Sequence, residues 1–314
     1  MTPRTRQNRH TPQTPQVRQW HTPLTGILVP LVTPFAADGR IAVDALADLA
    51  RSVLDAGATG IVALGTTGEA ATLDPDERAT VIDVCARVRA ERDAVLVIGA
   101  GGNDTRAGGR ALADLAHRPE AAAALVPVPY FSRPSQAGVL AHFTHLAEAA
   151  PLPLIVYHVP YRTGRPLDAA TLRALGRLPG VVGVKLAQGG IDGETVDLLG
   201  DLPADFAVLV GDDSFLSPLL ALGASGGVLA SAHVATDRFV ELTDAWRRGD
   251  LDRARPLGHA LTRLAAALFR EPNPAVIKGV LHAQGRIPTP NVRLPLLPAG
   301  PEAVDEAQKV LADL

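Results

Sequence analysis

Eight short apolar runs recur along this chain, and most are apolar at nearly every position rather than at every second one. They are Ile27–Thr33, Gly60–Leu64, Ala94–Gly99, Ala123–Val128, Leu154–His158, Val181–Lys185, Ala207–Gly211 and Gly226–Leu229. An alternating run suits a strand with one wet face. A continuous run suits a strand covered on both faces, as in a parallel sheet packed against helices. Most of the runs lie about 25 to 35 residues apart, room for one helix between each pair.

The intervening segments carry helical signals. Val43–Ala56 places Leu46, Leu49, Ala50, Val53 and Leu54 on one face. Asp74, Pro75, Asp76 and Glu77 open the next helix with a capping carboxylate, a proline at the first position and acids in the first turn. Further helices are expected over about 105–117, 135–149, 168–177, 191–200, 213–222 and 234–247. Eight β/α units predict a TIM (β/α)8 barrel; a doubly wound open sheet is the alternative, and the regularity favours closure. Helices over about 252–269, 273–284 and 302–313 predict a C-terminal helical extension. Residues 24–230 then hold the barrel strands and most helices, and 231–314 the last barrel helix and the extension.

Composition narrows the function. At 314 residues and 47% hydrophobic the chain can build a large core. A net charge of −3 and 4% aromatics speak against nucleic-acid binding. Cys85 is the only cysteine, so neither an intrachain disulfide nor a thiolate metal cluster is available. No apolar run is long enough for a membrane helix. Residues 1–23 are rich in Thr, Pro, Gln and Arg and lack acids. They read as a disordered basic tail, with a transit peptide as the weaker alternative, and a cytoplasmic location is expected.

In a TIM barrel the chemistry sits at the C-terminal ends of the strands. The second strand ends at Gly65-Thr66-Thr67-Gly68-Glu69, the fourth near Tyr130-Phe131, the fifth at Tyr157-His158, the sixth at Lys185, the seventh at Gly211-Asp212-Asp213 and the eighth near Val228. Lys185 is one of three lysines against twenty-seven arginines. A lysine at a strand end either snorkels to solvent or, when desolvated and neutral, attacks a carbonyl to form an imine, which arginine cannot do. Tyr157 is either a core tyrosine or a proton donor beside that lysine. The Gly65–Glu69 loop is either a tight turn or a carboxylate cradle.

Other signals are weaker. Gly99-Ala100-Gly101-Gly102 lacks the full dinucleotide fingerprint. His142 and His145 lack a third metal ligand at a suitable spacing and read as a packed or solvated helix. Asp212-Asp213 reads as an acidic pair at a helix N-terminus rather than a Mg²⁺ site.

Taken jointly, Gly65–Glu69, Pro129–Gln136, Tyr157–Gly164, Gly183–Lys185, Gly211–Asp213, Glu271–Pro274 and Arg293–Pro295 stand in an order and spacing that resemble the dihydrodipicolinate synthase / N-acetylneuraminate lyase family of pyruvate-dependent class I aldolases. The resemblance covers about residues 24–300. It implies a lyase in which Lys185 forms an imine with pyruvate, Tyr157 donates and accepts protons, Thr66 joins the relay and Thr67 holds the pyruvate carboxylate. Val228, Gly68 and Gly211 complete the substrate-binding set, and Arg162 would clamp a carboxylate of the second substrate. An arginine there favours a small acidic aldehyde, aspartate semialdehyde first, over a sugar. The family further implies a step of lysine biosynthesis, no cofactor beyond the covalent imine, no metal, and a homo-oligomer, a tetramer built from dimers.

The departures from the family pattern are specific. Phe131 stands where a tyrosine usually completes the relay in a neighbouring subunit. His158, Tyr161 and Leu186 replace the usual Asn, Ser and Glu. Ala70, Pro75, Arg78 and Ala107 stand where lysine-regulated relatives carry Ser, His, His and Glu, so feedback by lysine is not expected. Alternative readings are another 2-keto acid aldolase or dehydratase of the superfamily, a metal-dependent aldolase, and a catalytically impaired relative kept as a binding protein.

Overall fold

A computed structural model describes residues 24–314. The expected tail, residues 1–23, lies outside the described residues. The eight strands are β1 Gly26–Pro30, β2 Gly60–Ala63, β3 Val95–Gly99, β4 Ala123–Pro127, β5 Leu154–His158, β6 Val181–Leu186, β7 Ala207–Val210 and β8 Gly226–Val228. All neighbours pair in parallel, and β8 pairs with β1, closing the barrel. The open-sheet alternative is thereby excluded.

Helices return the chain between strands: α1 Val43–Asp55, α2 Pro75–Arg92, α3 Thr105–Ala113, α4 Gln136–Ala149, the one-turn α5 Pro160–Thr163, α6 Ala169–Gly176, α7 Gly193–Gly200, α8 Leu216–Ala221 and α9 Thr236–Arg248. The extension is α10 Leu251–Leu268, α11 Ala275–Ala283 and α12 Pro301–Ala312. Local chemistry explains the starts. Asp74 and Glu77 form a reciprocal capping box at α2, and Ser135 and Asp168 accept from the third amide of α4 and α6. The helix expected over 213–222 is split: Asp213–Phe215 is a 3₁₀ turn that leads into α8.

The continuous apolar strands face two cores. Leu28, Val62, Val97, Leu125, Ile155, Tyr157 and Leu209 point into the barrel. Their alternates, such as Ile61, Val126, Val156 and Leu186, join the larger core between strands and helices. On α1 the stripe Leu46, Leu49, Ala50, Val53 and Leu54 is buried against that core. Each large side chain buried there contributes about 1.5–3 kcal/mol, so a charge at Leu49 would unseat the helix. Parallel pairing brings all strand C-termini to one end, and the chemistry-bearing residues gather there.

Candidate active site

Strand register builds one wall of the site. Tyr157 on β5 lies opposite Lys185 on β6, and both side chains point into the barrel. The Lys185 Nζ sits 4.4 Å from the centre of the Tyr157 ring. The lysine shaft runs across Gly211, where a Cβ would lie 2.9 Å from its Cγ and Cε, so this position must lack a side chain. Burial lowers the Lys185 pKa to about 8, against the upward pull of Asp213. Burial raises the Tyr157 phenol, with Arg162 and the Thr66 hydroxyl opposing. A pKa of about 8 leaves about a tenth of the amine neutral at pH 7, beside a protonated phenol, which is the pairing that imine chemistry requires.

The opposite wall is the turn after β2. Thr66–Gly68 forms a 3₁₀ turn and Glu69 follows at φ +54°. The Thr33 hydroxyl donates to the Gly68 carbonyl at 2.7 Å, and a Cβ at Gly68 would stand 2.9 Å from the Leu31 carbonyl oxygen. Gly68 thus seats the turn on the barrel rather than lining the cavity. Asn273 Nδ2 donates to Thr67 Oγ1 at 2.9 Å, which occupies an acceptor position and leaves the Thr67 hydroxyl hydrogen for a ligand.

The extension holds this turn from outside. Lys278 is fully buried and pairs with Glu69 at 2.5 Å, also donating to the Asn291 carbonyl at 2.7 Å. The second Glu69 oxygen accepts from the Arg293 amide at 2.7 Å. The Lys278 Nζ and the Arg293 guanidinium lie 4.1 and 4.4 Å from the Phe35 ring centre. Burial lowers the Lys278 pKa to about 8 while Glu69 opposes the shift.

Two chambers share Thr66, Tyr157, Arg162 and Asn273. The inner one has about 20 Å³ of free volume and is lined also by Thr67, Lys185, Gly211, Asp213 and Val228. The outer one, about 470 Å³, is lined further by Gly99, Ala100, Arg78, Arg293 and Leu296. The inner chamber gathers an amine, a phenol and two threonine hydroxyls, and Arg162 lines both it and the outer one. The Arg162 guanidinium stands 5.6 Å from the Tyr161 ring centre.

The sequence-predicted residues therefore fall into two groups. Lys185, Tyr157, Thr66, Thr67, Arg162, Val228 and Gly211 converge on the inner chamber. Gly68 stands behind it, and Phe131, at φ +65° and 93% exposed, lines neither chamber. His158 and Leu186 are register partners, both buried and outside the lining of either chamber. Burial lowers the His158 pKa to about 4, so it is neutral. These two departures alter packing behind the wall, whereas Tyr161 lines the inner chamber.

Sequence reasoning missed Lys278, Phe269 and the ligand-facing position of Asp213. Asp213 does open the 3₁₀ turn as an acid at its N-terminus, and in addition its carboxylate accepts from the Ser231 amide at 2.5 Å, beyond β8, and the residue lines the inner chamber. Asn273 was visible only as part of the Glu271–Pro274 motif. Among the described residues no cluster of three or more His, Cys, Asp or Glu side chains is placed to hold a metal, so the metal-dependent aldolase reading has no ligand set there. His142 is a packed helix residue whose Nδ1 bonds the Thr105 hydroxyl.

With this geometry in hand, the comparisons are decisive. The sequence matches the model of the Dihydrodipicolinate synthetase family over residues 23–314. The chain belongs to this family. The 4-hydroxy-tetrahydrodipicolinate synthase of Moorella thermoacetica is 39% identical over 291 residues, covering 92% of this chain and 96% of that protein. The dihydrodipicolinate synthase of Thermotoga maritima superposes with a TM-score of 0.88 at 31% identity, covering 92% and 98% of the two chains. The chloride-inhibited synthase of Acinetobacter baumannii, solved with pyruvate, gives 0.86 at 35% identity, covering 92% and 98%. Family membership makes the chain an enzyme of the lyase type.

Proposed function

We propose that the chain is a 4-hydroxy-tetrahydrodipicolinate synthase that holds pyruvate as an imine on Lys185 and condenses it with aspartate semialdehyde, a step of lysine biosynthesis. The observation that carries this reading is the pairing of a buried lysine, its pKa lowered to about 8, with Tyr157 across β5 and β6.

The neutral Nζ attacks the ketone carbon, and the Tyr157 hydroxyl delivers the proton that lets water leave. The imine draws electrons from the methyl carbon, which loses a proton and becomes the enamine nucleophile. Thr66 hands protons between Tyr157 and the outer chamber. The Thr67 hydroxyl holds the pyruvate carboxylate, and Val228 and Gly211 shape the chamber around it. Gly68 assists by seating the turn that carries Thr67. Arg162 binds the carboxylate of the incoming aldehyde. No cofactor or metal enters this scheme, and the partners are small molecules. A homo-oligomer, a tetramer built from dimers, suits the exposed Tyr130 and Phe131, and a cytoplasmic location completes the reading.

The test is borohydride trapping with pyruvate, read by intact and peptide mass, beside a condensation assay with aspartate semialdehyde. One reduced pyruvyl group on Lys185 is expected. Arg162→Leu should leave that adduct intact yet slow condensation by about 1.5–3 kcal/mol in the barrier. An adduct elsewhere would sink the mechanism, and equal loss of both steps would make Arg162 structural.

A further inference from the structure

The one carboxylate that lines the inner chamber, Asp213, has no part in the relay just described. Asp213 is 5% exposed and opens the turn after β7. One of its oxygens accepts from the Ser231 amide, while the other, Oδ1, is buried without a partner. The neighbouring Ser231 hydroxyl is buried too. Burial raises the Asp213 pKa to about 6, with the Ser231 amide, the Ser231 hydroxyl and Lys185 opposing the shift, so the carboxylate is ionised above that pH. A buried carboxylate oxygen with no partner is costly, and native structures retain one where it has work to do. The chamber that Asp213 lines contains the Lys185 side chain.

We propose that Asp213 is the counter-charge of the imine on Lys185, held in place by the Ser231 amide and acting on the cation rather than on the proton relay. The proposal rests on the imine reading above. Attack of the amine on the ketone, followed by loss of water, leaves a protonated imine whose positive charge is enclosed in the chamber. Thr66, Thr67 and Tyr157 offer it no negative charge. Arg162 opposes it, and Asp212, whose carboxylate accepts from the Gly189 amide at 2.6 Å, lies farther out on the same loop. Asp213 is the largest charged contribution that favours a cation at Lys185.

Charge balance separates this role from a merely structural one. Below the Lys185 pKa, an ammonium and pyruvate give a protonated imine and water. The cation count is unchanged, so Asp213 favours both sides alike. Above that pKa, a neutral amine, pyruvate and one proton give the protonated imine and water. A cation is then created, and Asp213 favours the product alone. Asp213→Asn keeps an acceptor for the Ser231 amide and removes the charge.

The experiment titrates pyruvate against wild type and Asp213→Asn at about pH 6.5 and about pH 9, quenching with borohydride and reading the Lys185 adduct by mass. We expect half-saturation to agree near pH 6.5. Near pH 9 the variant should need about tenfold more pyruvate for each unit by which its lysine pKa has fallen. Asp213→Glu, which restores the charge, should recover part of the alkaline affinity, and Asp213→Ser gives the same readout if the Asn variant does not fold. Equal weakening at both pH values, or none at either, overturns the proposal while leaving the imine intact. Absence of an adduct on wild type overturns the imine reading itself.

Discussion

The two walls of the active site are built differently. The β5–β6 wall places Lys185 and Tyr157 by strand register between segments fewer than thirty residues apart. The Thr66–Glu69 wall depends on side chains more than two hundred residues away, Asn273, Lys278 and Arg293. One wall is held by main-chain ladders and apolar packing, the other by a buried ion pair and a few hydrogen bonds. Ladder geometry tolerates side-chain change, whereas a buried charge fails as soon as its partner is removed. In the proposed mechanism the reactive groups therefore stand on the rigid wall and the carboxylate cradle on the conditional one.

Three single substitutions, one of them also paired with a second, test that contrast. Lys185→Met removes the amine from the rigid wall, and both the pyruvate adduct and turnover should vanish. The fold should not suffer. Lys185 has its folded pKa lowered from 10.5 to about 8, so the buried ammonium costs stability at neutral pH. At about 1.4 kcal/mol per unit, that cost is roughly 3 kcal/mol. It is fully present below about pH 8 and fades as pH rises towards the unfolded value, so the variant should be more stable at pH 7 and lose its advantage in alkali. Denaturant midpoints at several pH values check this, and a destabilised inactive variant would show that the lysine holds the wall together.

Lys278→Met should do the opposite. Burial lowers the Lys278 pKa to about 8 as well, but Lys278, unlike Lys185, is in direct ion-pair contact at 2.5 Å; its removal leaves the Glu69 carboxylate buried with only the Arg293 amide and should cost about 3–5 kcal/mol of stability. Adding Glu69→Gln should recover part of that loss, and strict additivity of the two changes would mean that they do not act as a pair.

Asn273→Ala is the mildest. It removes one hydrogen bond to Thr67, worth about 1 kcal/mol, and should weaken pyruvate trapping about fivefold with little change in melting temperature. An unchanged half-saturation would remove Thr67 from the carboxylate site.

Legibility in the sequence followed the range of the interactions. The eight strands were readable because continuous burial leaves a local apolar signature, and the α2 start because its capping box spans four residues. The meeting of Lys185, Tyr157 and Thr66 at one mouth was readable once strand ends were known, since all parallel strands deliver their C-termini to one face. Asp213 was readable as an acid at a helix N-terminus, but its partner, the Ser231 amide on another loop, was not, because no local spacing links the two. His158 and Leu186 are visible in the sequence as departures from the family pattern, but only strand alternation places them outside the lining of both chambers.

What the sequence determined alone was the sheet type, the count of β/α units and the strand-end residues that can carry chemistry, because period and composition are local properties. Tertiary structure alone decided the lowering of the Lys185 pKa, the grip of Lys278 on Glu69 and the unpaired oxygen of Asp213. Desolvation and charge pairing depend on distance in space, and no spacing along the chain encodes that distance until the barrel has closed.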